Sequence, residues 1–380
     1  MNQIIFFNAP KNIFREDLLS FEGIFQKSSL QVLNNVLIKK SGMFVSFTVT
    51  DIEIEISIVV PYGVGDIDVS TTCNLKILVD SVKQFPYQDI QFGFDGNSLI
   101  VLNGAINLKL HTIQSNEFPL MSIYSPSYDN ELCKVSAKSL FSLLTETHSA
   151  MAKQDIRFYL NGMLLSFFEN TIVSVATNGH YLSYSALKID HSTFAFGQKA
   201  IELLLPSKLV FVLMKLLVKF DNEVKINFDG HKVIFNHKNY EILAKPIEGK
   251  FPDYQRVIPT DYSEKILINR KEILTALQRA SIFTKNNEFK GITLFFSSEG
   301  LNIQALYAKE DKFSEIVASS YRGGNFNMGV SVEYLTNVLT YINDEEVIFN
   351  VVVKYKKGVI MTITIPNRDD YKTVIMPTNS

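Results

Sequence analysis

Polar and apolar residues alternate along much of this chain, and short Gly- or Asn-containing turns break the alternation. Residues 36–40 and 44–51 read as two strands around Ser41-Gly42. Residues 158–165 and 172–178 read as another pair around Glu169-Asn170, and 291–296 with 301–306 as a third around Ser298-Glu299-Gly300. Apolar residues at three- and four-residue spacing predict a helix before each pair, over 15–26, 138–152 and 271–283. The same spacing predicts a helix after each, over 75–85, 207–220 and 332–342, with more alternating strands beyond. Phe118-Pro119, Phe251-Pro252 and Met376-Pro377 close the three copies. The reading is three tandem domains, 1–128, 129–256 and 257–380, each with a smaller twofold repeat inside. The fold class is α+β with mostly antiparallel sheet.

Composition narrows the function. Against 39 Asp+Glu stand 37 Lys+Arg in 380 residues, a net charge of −2, and 46% of residues are apolar. These values argue against a disordered chain and against a protein that grips nucleic acid by bulk basicity. They leave open one that sorts its charge onto different faces. Two cysteines, Cys73 and Cys133, cannot build a disulfide framework, so a reducing, cytoplasmic setting is expected. The N-terminus lacks the features of a signal peptide, and no apolar run is long enough to span a membrane.

Candidate chemistry is sparse. The chain carries no phosphate-binding loop, no zinc-protease or nucleophile-elbow motif, and no metal-spaced Cys/His cluster. His231 and His237 read as solvated hairpin residues, and Gly63-Val64-Gly65 as a turn. The densest polar cluster is 155–162 with 176–182. A hydrolase reading would make His180 a base oriented by Asp155, with Ser174, Ser183 or Thr177 as nucleophile, but no activating motif accompanies them. In the helix at 207–220, Lys208, Lys215 and Lys219 fall within one narrow arc of an otherwise apolar segment. In 75–85, Lys76 and Lys83 share a face with Asp80.

The stretch Met151-Ala152-Lys153-Gln154-Asp155-Ile156-Arg157-Phe158-Tyr159-Leu160-Asn161-Gly162-Met163 resembles the bacterial sliding-clamp family, the β subunits of DNA polymerase III. So do Val175-Ala176-Thr177-Asn178-Gly179-His180, Gly249-Lys250-Phe251-Pro252-Asp253-Tyr254, Phe289-Lys290-Gly291-Ile292 and Val374-Ile375-Met376-Pro377. Leu33-Asn34-Asn35-Val36-Leu37 and Thr50-Asp51-Ile52-Glu53 match more weakly in the first domain.

The resemblance implies a head-to-tail homodimer whose six domains close a ring around duplex DNA, with helices lining the hole and sheets outside. It implies no catalysis, metal or cofactor. The implied partners are double-stranded DNA read without sequence preference, the replicative polymerase catalytic subunit, the clamp loader and other proteins bearing a clamp-binding motif, with no membrane. A peptide groove is implied at Arg157, Tyr159, Leu160, Thr177, Gly179, His180, Leu182, Pro252, Arg256, Val257, Tyr334, Val374, Met376 and Pro377. DNA contacts are implied at Lys27, Gln154, Phe158 and Tyr159, beside the lysine stripe of residues 208, 215 and 219. Dimer contacts are implied at Leu108 and Leu110 against Ile282 and Phe283. Deleting residues 374–380 is expected to remove the groove and spare the ring. Tyr181, Ser331 and the Thr378-Asn379-Ser380 tail depart from the family pattern. A monomeric repeat protein that binds only peptides is the third reading.

Overall fold

Ten elements recur three times in the same order. The first set is β1 (Ile4–Pro10), α1 (Lys11–Ser20), β2 (Asn35–Ser41), β3 (Phe44–Thr50), β4 (Ile54–Val60), β5 (Val69–Asn74), α2 (Leu75–Gln84), β6 (Asp89–Phe94), β7 (Ser98–Asn103) and β8 (Ile106–His111). The second is β9 (Glu131–Ser136), α3 (Ala137–Thr147), β10 (Gly162–Phe168), β11 (Thr171–Thr177), β12 (Tyr181–Lys188), β13 (Ile201–Pro206), α4 (Ser207–Leu217), β14 (Glu223–Phe228), β15 (Val233–His237) and β16 (Tyr240–Ala244). The third is β17 (Glu264–Asn269), α5 (Arg270–Ile282), β18 (Gly291–Ser297), β19 (Gly300–Leu306), β20 (Lys312–Val317), β21 (Phe326–Ser331), α6 (Val332–Tyr341), β22 (Glu346–Tyr355), β23 (Gly358–Ile365) and β24 (Arg368–Ile375). Each set is one β-α-β-β-β run followed by another, which is the expected inner twofold repeat. The structure, a computed structural model, describes residues 4–22, 24, 27–121, 131–189, 200–284, 291–306, 311–355 and 358–378.

Helix starts follow local chemistry. Asn74, Asn269 and Ser331 each accept the backbone N–H three residues on, capping α2, α5 and α6. Pro10 and Pro206 precede α1 and α4, where a missing N–H costs nothing. Pro10 therefore starts the first helix at Lys11, four residues before the spacing predicts, and the helix ends at Ser20. Residues 23, 25 and 26 of the predicted span lie outside the described residues. The predicted strand 158–165 begins only at Gly162. Phe158–Leu160 is instead a 3-10 turn, because Leu160 and Asn161 donate backwards to the Arg157 and Phe158 carbonyls at 2.8 and 3.0 Å. The helix predicted over 138–152 stops at Thr147, and a 3-10 turn, His148–Ala150, follows it.

By internal contacts the chain forms two compact units, Met1–Ala137 with Lys219–Pro246, and Lys138–Val218 with Ile247–Ser380. The first holds a four-stranded sheet, β1-β6-β7-β8, and an eight-stranded one, β5-β2-β3-β4-β16-β15-β14-β9. The second holds β20-β19-β18-β21 and β13-β10-β11-β12-β24-β23-β22-β17. Each eight-stranded sheet joins two repeats: β4 pairs antiparallel with β16 and β12 with β24. The first core is rich in phenylalanine, with the Phe7 ring 4.9 Å from Phe14 and 4.8 Å from Phe92. Truncating such a ring costs roughly 3–5 kcal/mol. In the second unit Leu164, Val173, Val175, Leu182, Leu204 and Phe251 form a buried cluster, with Tyr159 and Tyr254 packed on it. This cluster is the floor on which the site is built.

Candidate functional site

The turn between β11 and β12 is fixed by its own side chains. Asn178 Oδ1 accepts the His180 and Tyr181 N–H groups at 2.9 and 3.1 Å. Thr177 Oγ1 donates to the Tyr181 carbonyl at 2.7 Å and accepts from the Gly179 N–H. Gly179 takes φ +88°, and a Cβ there would stand 3.2 Å from the Arg157 guanidinium. The positive φ favours glycine, and a Cβ would also press on the guanidinium.

The segment before β10 is braced in a similar way. Asn161 accepts the Asp155 N–H and donates to its carbonyl, both at 2.8 Å. Asp155 holds Arg157 by a fork, Nε to Oδ1 at 3.0 Å and Nη2 to Oδ2 at 2.8 Å, which keeps the Asp155 carboxyl at about 2.

Between these two turns lies a cavity of about 220 Å³. Arg157, Tyr159 and Leu160 come from the braced segment. Thr177, Gly179, His180 and Leu182 come from the β11–β12 hairpin, Pro252 and Val257 from the chain before β17, and Val374 and Met376 from the end of β24. The ladder places Leu182 opposite Val374, and the Met376 N–H donates to the His180 carbonyl at 3.0 Å. Widely separated parts of the sequence thus meet on one apolar surface with a polar rim.

Three expected residues stand off it. The exposed Arg256 pairs with Asp253 at 2.7 Å, Tyr334 lies behind the His180 and Tyr181 rings, and Pro377 is exposed beyond the cavity. Two liners escaped the sequence reading, Tyr181 and Tyr254. Burial pushes the Tyr181 phenol up to about 12. Val374 and Ile375 are fully buried and form the last two rungs of the β12–β24 ladder. Deleting 374–380 would remove these two buried rungs together with the Val374 and Met376 side of the groove.

The hydrolase arrangement does not form. Ser174 Oγ is buried against Thr147 Oγ1 at 2.6 Å, Ser183 Oγ against Thr373 Oγ1 at 2.9 Å, and Thr177 is spent on its turn. Asp155 turns to Arg157 rather than orienting His180. Burial raises both thiols, Cys133 to about 12, so neither is an activated nucleophile. No group of His, Cys, Asp or Glu fit for a metal occurs among the described residues. His231 is exposed, as expected, but His237 is buried. Its ring stacks on Phe220 at 4.1 Å and Nδ1 reaches the Glu223 carbonyl at 3.1 Å.

Lys208 is half-buried and Lys215 exposed on α4, whereas Lys219 falls past the helix end, so the three-lysine stripe keeps two members on the helix. On α2, Lys83 pairs with Glu22 at 2.5 Å and Asp80 at 3.6 Å, which neutralises that face. Gln154, at φ +55°, and Phe158 are exposed on the braced segment. Lys27 and Leu110 line one larger cavity of about 760 Å³ in the first unit, with Lys76, Ile77 and His111. Leu108 is half-buried on the same edge strand, β8. Ile282 is 58% exposed at the end of α5, next to a half-buried Phe283 whose ring lies 5.5 Å from Phe313. Phe289 and Lys290 of the matching motif, with Asn379 and Ser380 of the tail, lie outside the described residues. No helix among the described residues is long and apolar enough to cross a membrane.

Family models for the DNA polymerase III beta subunit match the chain in order: the N-terminal domain over residues 12–122, the central domain over 134–253 and the C-terminal domain over 255–379. A beta sliding clamp of Pseudomonas aeruginosa is 31% identical over 353 residues, 93% of each chain. One from Escherichia coli is 27% identical over 326 residues, covering 84% of this chain and 86% of that one. The crystal structure of the DNA polymerase III subunit beta from Pseudomonas aeruginosa superposes with a TM-score of 0.91 at 30% identity, covering 99% of this chain and 100% of that one.

Proposed function

The chain belongs to the beta sliding clamp family of DNA polymerase III, a family of DNA clamps without catalysis of their own, and on that premise we propose how it works as one. Two copies close head to tail into a ring around duplex DNA. The observation that carries this reading is the pairing of sheet edges. β4, β12 and β20 hold the same place in successive repeats, as do β8, β16 and β24. Within the chain β4 pairs with β16 and β12 with β24, which leaves β20 and β8 at the edges of their sheets. Unpaired edges invite another strand. A second copy offers both complements, and Leu108, Leu110, Ile282 and Phe283 are the apolar residues proposed to seal the contact. The proposed domain boundaries are 1–128, 129–256 and 257–380, one repeat to each.

Lys27, Lys208, Lys215, Lys219, Gln154, Phe158 and Tyr159 are proposed to meet DNA without reading its sequence, so that grip is electrostatic and movement along the duplex is free. Retention is topological. The apolar groove takes an extended partner peptide with two apolar anchors, carried by the replicative polymerase, the clamp loader and other clamp-binding proteins. Tethering then raises the polymerase's effective concentration at the primer end. Burial of the anchors at about 25 cal/mol per Å², less the ordering of the peptide, gives isolated peptides affinities around micromolar. A cytoplasmic location fits the two free, buried thiols.

Light scattering should return twice the 43.1 kDa chain mass, and the protein should stay on nicked circular DNA yet run off once that DNA is linearised. A monomer that binds a Gln-Leu-x-Leu-Phe peptide but is never retained on circles would favour the peptide-only repeat protein instead.

A further inference from the structure

Tyr181 departs from the family pattern, and its surroundings show what it does. The residue is only 2% exposed yet lines the groove. Its hydroxyl donates to the Ser149 carbonyl and also meets the Asn337 side chain. Its backbone is held by Asn178, by Thr177 and by the pairing with Ile375. One ring face packs on Tyr334, 4.7 Å away at 26°. Tyr334 in turn lies 6.1 Å from the exposed His180 ring at 21°. Tyr334 lies in the first turn of α6, and its N–H donates to the capping Ser331.

The three rings form one stack whose most buried member, Tyr181, stands at one end. His180 has a solvent-facing ring whose stacking neighbour is Tyr334, and Tyr334 is itself only half-buried. Through this stack both rings are tied to the buried Tyr181 ring. The Tyr181 hydroxyl is committed inward to Ser149 and Asn337, so it is not aimed at a ligand. Building on the peptide-groove reading, we infer that Tyr181 is a positioning residue. Through Tyr334 it fixes the aromatic wall that ends in His180, so a partner peptide meets a groove already in its binding shape. Ordering a loose aromatic side chain during association would otherwise weaken binding by about three- to tenfold per residue.

The test is calorimetric titration of the Gln-Leu-x-Leu-Phe peptide into the full-length protein and four variants. Tyr181→Leu should weaken binding about tenfold, while Tyr181→Phe, which keeps the ring, should stay within about threefold of wild type. Tyr334→Leu changes a half-buried residue on a helix surface and reads the same stack without opening the core. It should lose about as much as Tyr181→Leu, and the double variant should lose little more than either alone, because one ordering step is removed once. A residue that merely supports the fold would give no such coupling in affinity. Wild-type affinity in Tyr181→Leu, or single losses that add in full, would overturn the positioning role while leaving the groove in place. Failure of the wild type itself to bind would instead sink the groove reading, and this inference with it.

Discussion

One arginine in the second unit faces three carboxylates, and its removal makes a graded prediction. Arg368, on β24, forks to Glu146 of α3 with Nη1–Oε1 at 2.9 Å and Nη2–Oε2 at 3.3 Å. It forks again to Asp370 at 3.0 and 3.2 Å, and Asp344 stands 3.6 Å away. Glu146 also accepts from Ser185 Oγ at 2.5 Å. The Arg368 side chain is 30% exposed and that of Glu146 11%. Arg368→Met leaves the carboxylates facing one another with no cation. Breaking a fully buried pair costs about 3–5 kcal/mol, and water reaching this one brings the expected loss to about 2–3 kcal/mol. Glu146→Gln leaves Arg368 two other carboxylates, so about 1 kcal/mol should go. In a cooperative unit of this size 1 kcal/mol moves the melting midpoint by about 2–4 °C. Scanning calorimetry should therefore find Arg368→Met about 4–12 °C below wild type and Glu146→Gln about 2–4 °C below. Equal shifts from the two variants, or none from Arg368→Met, would show that solvent rather than Arg368 balances these charges.

Three further outcomes follow from the geometry. Ile282→Ala with Phe283→Ala should leave a monomer by light scattering at nanomolar concentration, and Ile282→Ala alone should leave the melting midpoint of a single chain nearly unchanged, because Ile282 is exposed there. Charge reversal at Lys208 and Lys215 should lower retention on nicked circular DNA more than reversal at Lys219 beyond the helix, and added salt should narrow the gap. Burial raises the carboxyls of Asp17, Glu55 and Glu241 in the first unit, despite a hydrogen bond from Tyr240 to Asp17 and one from the Met121 N–H to Glu55. A raised acid favours the folded state below its ordinary range, and that contribution is lost as pH rises through the raised value. The opening free energy of the β4 and β16 amides from hydrogen exchange should therefore fall as pH rises from the ordinary carboxyl range towards neutrality, with Glu241→Gln flattening the change.

The repeats were legible because a strand hairpin writes its period and its turn into neighbouring residues. Thr50-Asp51 and Thr177-Asn178 could be aligned by eye, and the groove came from motifs that match a family. What stayed hidden depends on contacts across long stretches of chain. Nothing local says that β12 will pair with β24 or that β4 will pair with β16. Tyr181 and Tyr254 look like ordinary strand and loop aromatics until their rings meet the cavity. His237 reads as a polar hairpin residue, and only the Phe220 ring lying over it removes it from water. The 3-10 turn at Phe158–Leu160 defeats a period-based reading because three consecutive apolar or aromatic residues fit either a buried strand or a tight turn. Helix ends shifted where a proline or a lost hydrogen bond overruled the apolar spacing.

The chain passes between its two compact units three times, at 137/138, 218/219 and 246/247. A single backbone cut at any one of these crossings leaves two covalent connections standing. The fragments would separate only after the eight-stranded sheets had been dismantled, so a nicked molecule should elute intact in native buffer and split only in denaturant. In the closed ring proposed above, this redundancy would give a margin: damage to one link would not open the path that the duplex would need to escape.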